Sequence, residues 1–322
     1  MHASDPTPSP ARHPGRLVRP VVAVAATLAI GATGGALTAC SSEPPRPDQG
    51  LESLVAQLGE LEGTDAAGGT AIFTEQVDAL NDEIVRLCGT DRDGQPPEGC
   101  EPTGGSTGEA TDVNDVRELM LRLIEREDAD SDTAPDDDAE RGRAVLLTGL
   151  FAALATLDDS TAGGSAIDQE LLDLGFGGIG EDGEVSEQTA QTLAPATELV
   201  NQAVYLSGVV LPVAGSNRST VTTVASRMRT VRDELTGASG VAADVGYSTP
   251  DDFTPPTDSS SAAGTLLEAV HAVTVALRDA VDEVDDADRA LVATLCAMSA
   301  RAEAALEDAL GQDPLDVSVR GE

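Results

Sequence analysis

The stretch Ala262–Leu310, AAGTLLEAVHAVTVALRDAVDEVDDADRALVATLCAMSARAEAALEDAL, decides how the rest of the chain is read. Leu266, Val270, Val273, Leu277, Val284, Leu291, Leu295, Met298, Leu306 and Leu310 recur every three or four residues through most of it. That spacing gathers apolar side chains on one face of an α-helix. Val281 and the segment Asp285-Asp286-Ala287-Asp288 interrupt the seam. An unbroken helix of about 48 residues would be about 72 Å long at 1.5 Å per residue. A turn near Asp285–Asp288 gives an antiparallel pair instead. No Gly or Pro stands at that point, so the continuous helix is the expectation.

Working outward, the same periodicity recurs and strand patterns are scarce. Leu51, Leu54, Val55, Leu58 and Leu61 form one helical set, and Ile72, Phe73, Val77, Leu80, Ile84 and Leu87 a second. Val113, Val116, Leu119, Met120, Leu123 and Ile124 form a third, with Thr111 or Asp112 as its N-cap. Ala139 to Leu157 reads as a more thoroughly apolar helix, and a short one follows around Ile167–Leu174. Ser186 to Val213 reads as a long helix, kinked at Pro195 and ending near Pro212. Val221, Val224, Met228, Val231 and Leu235 make Thr220–Leu235 amphipathic. Ala144–Leu157 and Leu199–Gly215 are apolar enough to suggest membrane spans, but the first is short and the second carries polar residues, so both read as buried helices.

With only six aromatic residues, the core must be mainly Ala, Leu and Val, which favours close helix–helix packing. The expected fold is all-α: an elongated bundle of about six to eight helices with a long C-terminal helix and a flexible N-terminal tether. The boundaries expected are a signal peptide at 1–39, a tether at 40–50, a small helical subdomain at 51–127, an acidic linker at 128–138, the main bundle at 139–311 and a tail at 312–322.

At the other end, Arg12, Arg16 and Arg19 precede an apolar run from Val21 to Leu37, which closes on Leu37-Thr38-Ala39-Cys40. Small residues before a cysteine at such a point resemble the lipobox of bacterial lipoproteins. That resemblance implies a diacylglyceryl group on the Cys40 sulfur, cleavage before Cys40 and acylation of the freed amine. The mature chain is then held to the cell membrane by lipid on Cys40, on the extracytoplasmic face. An ordinary signal peptide and an uncleaved anchor are the alternatives. The run of about 17 residues falls short of the roughly 20 that a spanning helix needs, and Gly31, Gly34 and Gly35 suit processing better. Ser41 to Gly50 is polar and proline-bearing; ten extended residues reach at most about 33–36 Å.

All 19 basic residues are Arg, and the net charge of −38 becomes about −40 without residues 1–39, which hold three Arg and one Asp. Such a surface repels nucleic acid, whose binding needs basic patches that neutralise phosphates. Beyond Cys40 three cysteines remain. Cys88 ends a helical pattern and Cys100 closes a short turn-rich loop, so a Cys88–Cys100 disulfide is expected, with Cys296 a buried thiol; the alternative is that Cys296 pairs with either of the others and pins distant helices.

Candidate chemistry is sparse. His271 is the one histidine after residue 39, and no GxSxG elbow accompanies it; a polar helix face or a satisfied core position is expected for it. Gly175-Phe-Gly-Gly-Ile-Gly180 matches GxGxxG but follows a helical pattern and precedes Glu181, Asp182 and Glu184, which would repel a pyrophosphate. Asp128, Asp130 and Asp132 have the spacing of a calcium loop's first ligands without its Gly and closing Glu, and Asp91 and Asp93 are similar fragments. Asn217-Arg218-Ser219 is a sequon by pattern alone. No catalytic, cofactor or metal site is assigned.

The leading functional expectation is a non-enzymatic envelope lipoprotein that presents helical surfaces to a protein partner. The second is a carrier of an apolar or amphipathic ligand, lined by Phe151, Tyr205 and the Leu199–Val213 segment. The third is a hydrolase using two carboxylates, which composition alone cannot pick out among so many acidic residues.

Overall fold

The computed structural model describes residues 47–62, 70–89, 95–100, 112–125, 137–157, 165–175, 185–240 and 253–322. The chain divides into Met1–Glu43 and Pro44–Glu322, and every described residue belongs to the second unit. Among the described residues there are nine α-helices and no strand: α1 Gln49–Glu62, α2 Thr70–Cys88, α3 Val113–Glu125, α4 Asp137–Thr156, α5 Ser165–Gly175, α6 Glu187–Val210, α7 Arg218–Ser239, α8 Ser259–Ala280 and α9 Asp286–Ala309. The fold is an all-α helical bundle, as the periodicity requires.

The pattern over 262–310 resolves into two helices rather than one. Helix α8 ends at Ala280, the chain turns through Val281–Asp285, and α9 runs back antiparallel along it, with Thr274 opposite Ser299 and His271 opposite Glu303. The continuous helix expected from the missing Gly and Pro is therefore corrected. Helix α9 starts after an extended Asp285 (φ −63°, ψ 147°) whose side chain makes no capping hydrogen bond and whose amide donates to Thr189 Oγ1 of α6, with Asp286 and Asp288 in the first turn. Aspartate is favoured at helix starts, where carboxylates meet the positive end of the dipole. Reversal also buries two apolar faces that one straight rod would leave apart. Val270, Val273 and Leu277 of α8 and Leu291, Leu295 and Met298 of α9 all enter the core.

Helix α9 is the axis of the packing. It buries 18 of its 24 residues and is lined with alanines at 290, 293, 297, 300, 302 and 304. Small side chains on every face let α3, α4, α5, α7 and α8 all pack on it. Helix α6 covers α7 and α8, and α1 packs on α2 and α3. The apolar core is continuous from Leu51 in α1 to Leu306 in α9.

The ends of the helices follow their sequences. Asp48 Oδ1 accepts from the Gly50 and Leu51 amides at the start of α1. Asp112 Oδ1 caps α3 through the Asn114 and Asp115 amides, Ser186 caps α6, and Asp258 forms a capping box with Ser261 on α8. Helix α6 runs through Pro195 and tightens into a 3₁₀ turn at Leu211–Val213. Helix α8 is long and apolar enough, by length and composition, to cross a membrane, yet its buried side chains belong to the bundle core.

Cys88 at the end of α2 and Cys100 form a disulfide across a sequence separation of 12. Closing a loop of this size restricts the unfolded chain by about 3 kcal/mol in the loop-entropy account. The double substitution Cys88→Ser, Cys100→Ser is expected to lose about that much stability in urea unfolding. Adding a reductant should destabilise the parent chain by a similar amount and leave the double variant unchanged.

Candidate functional site

A helix buried on all sides has no water for its charged residues, so each must meet a partner inside the protein. Arg301, fully buried on α9, donates through Nε to Asp168 Oδ1 at 2.8 Å and through a terminal nitrogen to the Ala155 carbonyl at 2.7 Å. Arg227 of α7 donates to the other Asp168 oxygen at 3.0 Å and to the Arg301 carbonyl at 3.0 Å. One aspartate in the first turn of α5 thus neutralises two buried guanidinium groups and ties α5, α7 and α9 together.

The carboxyl end of α4 belongs to the same system. Its last turn carries no basic residue of its own. Arg301 reaches the Ala155 carbonyl and Arg117 of α3 reaches the Leu154 carbonyl at 2.6 Å. Cations are favoured at the negative end of a helix, and here two neighbouring helices supply them. Arg143 of α4 forms a further tie, to Asp48 Oδ2 at 3.0 Å, joining α4 to the cap of α1.

Within the next two turns of α9, a second cluster assembles. Glu307 accepts from Arg320 at 2.8 and 2.9 Å, and Glu303 lies 3.4 Å from the same guanidinium nitrogen. His271 Nδ1 is 3.1 Å from Glu303 Oε1, and the imidazole is 43% exposed. The only histidine after residue 39 therefore sits at the wet edge of a buried ionic cluster, with no nucleophile completing a triad beside it among the hydrogen bonds described here. Burial pushes the Glu307 carboxyl above the usual glutamate range, opposed by the charge and hydrogen bond of Arg320 and reinforced by Glu303. At the amino end of α9, burial likewise raises Asp288, while a hydrogen bond from Thr189 opposes it.

The remaining sequence candidates fall as follows. Cys40, the lipobox and the signal segment 1–39 lie outside the described residues, as do Asp91, Asp93, Asp128, Asp130 and Asp132. Gly175 ends α5, and the rest of the GxGxxG match is outside the described residues. Cys296 is fully buried, contacts the Thr274 carbonyl through its sulfur, and has its thiol pushed far up by burial, so it is an unreactive packing residue. Asn217 of the sequon donates to the Ser259 carbonyl at 3.2 Å and serves the junction of α7 with α8. Phe151 is inside the core while Tyr205 is 41% exposed on α6, so these two aromatics do not enclose a common cavity. Among the described residues no group of three or more His, Cys, Asp or Glu is placed to hold a metal ion.

Arg227, Arg301, Arg320 and Asp168 were not singled out from sequence. Their signal was present in part: Arg301, Glu303 and Glu307 are charges within a stretch of Ala and Leu, and charges so placed are buried only when paired. Compared with known protein families, with curated proteins and with solved structures, the chain matches none of them.

Replacing Asp168 with Asn removes the carboxylate that the buried Arg227 and Arg301 share. The expected loss is toward the lower end of the about 3–5 kcal/mol seen when one partner of a buried pair is removed, because Asp168 is at the rim. Asp233→Asn, which breaks the exposed pair with Arg232, should change stability by no more than about 1 kcal/mol; chemical denaturation compares the two.

The raised Glu307 carboxyl makes the folded chain bind a proton at higher pH than the unfolded chain. Its contribution to stability therefore grows as pH falls through the raised value and levels off below the ordinary glutamate value. Glu307→Gln should remove that part of the pH dependence, measured as Tm against pH.

Proposed function

We propose that this protein is a lipid-anchored lipoprotein on the extracytoplasmic face of the cell membrane, non-enzymatic, and that it works by presenting helical surfaces to a protein partner. The anchor reading rests on Leu37-Thr38-Ala39-Cys40 and the resemblance it carries. The observation that most supports the rest is the disposition of charge. Arg117, Arg143, Arg227, Arg301 and Arg320 are all buried, where they hold helices together. Among the described residues five arginines and four carboxylates are buried, so the excess of 57 Asp and Glu over 19 Arg is left outside. Acidic helical faces suit a protein partner with basic or polar complementarity, and they disfavour nucleic acid.

The other readings have less to rest on. A ligand carrier loses the lining expected from Phe151 and Tyr205. A two-carboxylate hydrolase could look to Glu303 and Glu307, but Arg320 pairs with both of them and the chain at 312–322 covers them.

Native mass spectrometry of the protein, gently extracted from its own membranes, tests this proposal. The expected result is an acylated Cys40 and a stoichiometric protein companion, with neither acyl mass nor membrane retention in Cys40→Ala material. A co-purifying small molecule released on denaturation, with no protein companion, would replace the partner reading with the carrier reading. An unmodified Cys40 would remove the anchor.

A further inference from the structure

Residues 312–322 cross α2, α4 and α9, where Leu315 and Val319 pack at the edge of the core and polar contacts complete the attachment. Of their side chains only that of Arg320 is buried, while Leu315, Val317 and Val319 are half-buried. The ties are the Arg320–Glu307 pair, the Arg320 amide to the Gly149 carbonyl at 3.1 Å, and Gln76 Nε2 to the Ser318 carbonyl at 3.0 Å. The seat is shaped for this strap. A Cβ on Gly149 would stand 2.6 Å from Val319 Cγ1 and 3.1 Å from the Arg320 carbonyl oxygen. A hinge precedes it: Gly311, at φ 77°, ends α9 in a Schellman turn, with Gln312 N bonded to Glu307 O and Gly311 N to Asp308 O, both at 2.9 Å. The strap makes one 3₁₀ turn at Pro314–Asp316 and is extended at Val317.

Such a segment opens more readily than the helices beneath it. A fully buried aliphatic side chain contributes about 1.5–3 kcal/mol, and the strap has none. The attraction within a buried ion pair is largely offset by the hydration its members lose, and release restores that hydration. Elements of this kind are where local opening occurs. Opening leaves Glu303 and Glu307 one turn apart on α9 with no guanidinium between them, and Glu303 Oε2 already has no hydrogen-bond partner. A vacated seat of this composition takes a cationic side chain that meets both carboxylates, as one terminal nitrogen of Arg320 does, and a guanidinium is the cation the structure shows fitting it.

We infer that residues 312–322 form a releasable strap, and that the seat beneath it, Glu303 and Glu307 beside the notch at Gly149, docks an arginine-bearing extended segment of the protein partner. The inference rests on the partner reading above and names the chemistry of its contact. The strap is the occupant in cis and competes with the partner for the seat.

Hydrogen exchange on the full chain and binding of a synthetic peptide, Gln312–Glu322, test it together. The strap amides should exchange faster than those of α9 in the parent chain. Gly149→Ala, which adds the methyl group that crowds Val319 and leaves every charge in place, should speed strap exchange further while α9 stays protected. Arg320→Ala material should bind the peptide, and a peptide with Ala in place of its arginine should bind on the order of thirtyfold more weakly or worse. The intact chain, with its own strap seated, should bind the peptide more weakly than the Arg320→Ala chain does.

Strap amides that exchange only with global unfolding would overturn the inference. So would a folded Arg320→Ala chain that ignores the peptide. If Arg320→Ala does not fold, exchange in the parent and Gly149→Ala chains decides alone. A concentration-dependent dimer of the parent chain, lost on Arg320→Ala substitution, would assign the seat to a second copy and overturn the partner version. A protein companion that binds equally well to parent and Glu303→Gln, Glu307→Gln chains would leave the partner reading standing and overturn only this one.

Discussion

A helix with 18 of its 24 residues buried cannot offer its charged side chains to water, and that constraint on α9 organises the rest of the fold. Asp288, Arg301, Glu303 and Glu307 each need a partner from another element, and each recruits one. Asp288 and its neighbour Asp285 meet Thr189 of α6. Arg301 meets Asp168 of α5, which also takes Arg227 of α7. Glu303 and Glu307 meet His271 of α8 and Arg320 of the strap. Apolar contact drives the helices onto α9, but it is tolerant of small rotations and slides. The ionic contacts are directional, and they choose among the arrangements that burial alone would accept.

The two clusters on α9 differ in how firmly they are held. The Asp168 cluster lies among helices whose apolar faces are already committed to the core, so its hydrogen bonds act within an element that could not leave. The Arg320 cluster joins the core to a short segment that has little apolar area of its own. The same guanidinium–carboxylate chemistry is therefore a brace in one place and a fastening in the other. Burial of the neighbouring side chains, rather than the strength of the pair, makes the distinction.

Arginine usage links the interior to the surface. Five arginines turned inward serve as cross-ties and as caps for the carboxyl end of α4. Arginine suits this work because its planar fork can satisfy a carboxylate and a carbonyl together. Buried carboxylates at Glu83, Asp288, Glu303 and Glu307, with Asp48 and Asp168 at the rim, balance those five arginines inside, so the excess of 57 Asp and Glu over 19 Arg lies on the exterior.

Much of the fold was legible in sequence because helix formation is a local matter. The periodic apolar positions mark α1 to α9, Asp112 and Ser186 act as caps where the pattern begins, and Cys88 and Cys100 are near enough along the chain for their pairing to follow from spacing. The break at Val281–Asp285 was harder to read, since aspartates at a helix start leave a weaker mark than Gly or Pro. The Asp168–Arg301 and Glu307–Arg320 partnerships were not legible at all. Asp168 stands 133 residues from Arg301, and no local rule pairs one charge with another across that distance. The sequence by itself determined that the chain is helical, rich in carboxylates and poor in aromatic residues and histidine, because propensity, patterning and composition act residue by residue. Only the tertiary structure decided that α9 is the axis, which charges meet on it, and that residues 312–322 close over Glu303 and Glu307, because those outcomes depend on which helix faces compete for the same interior.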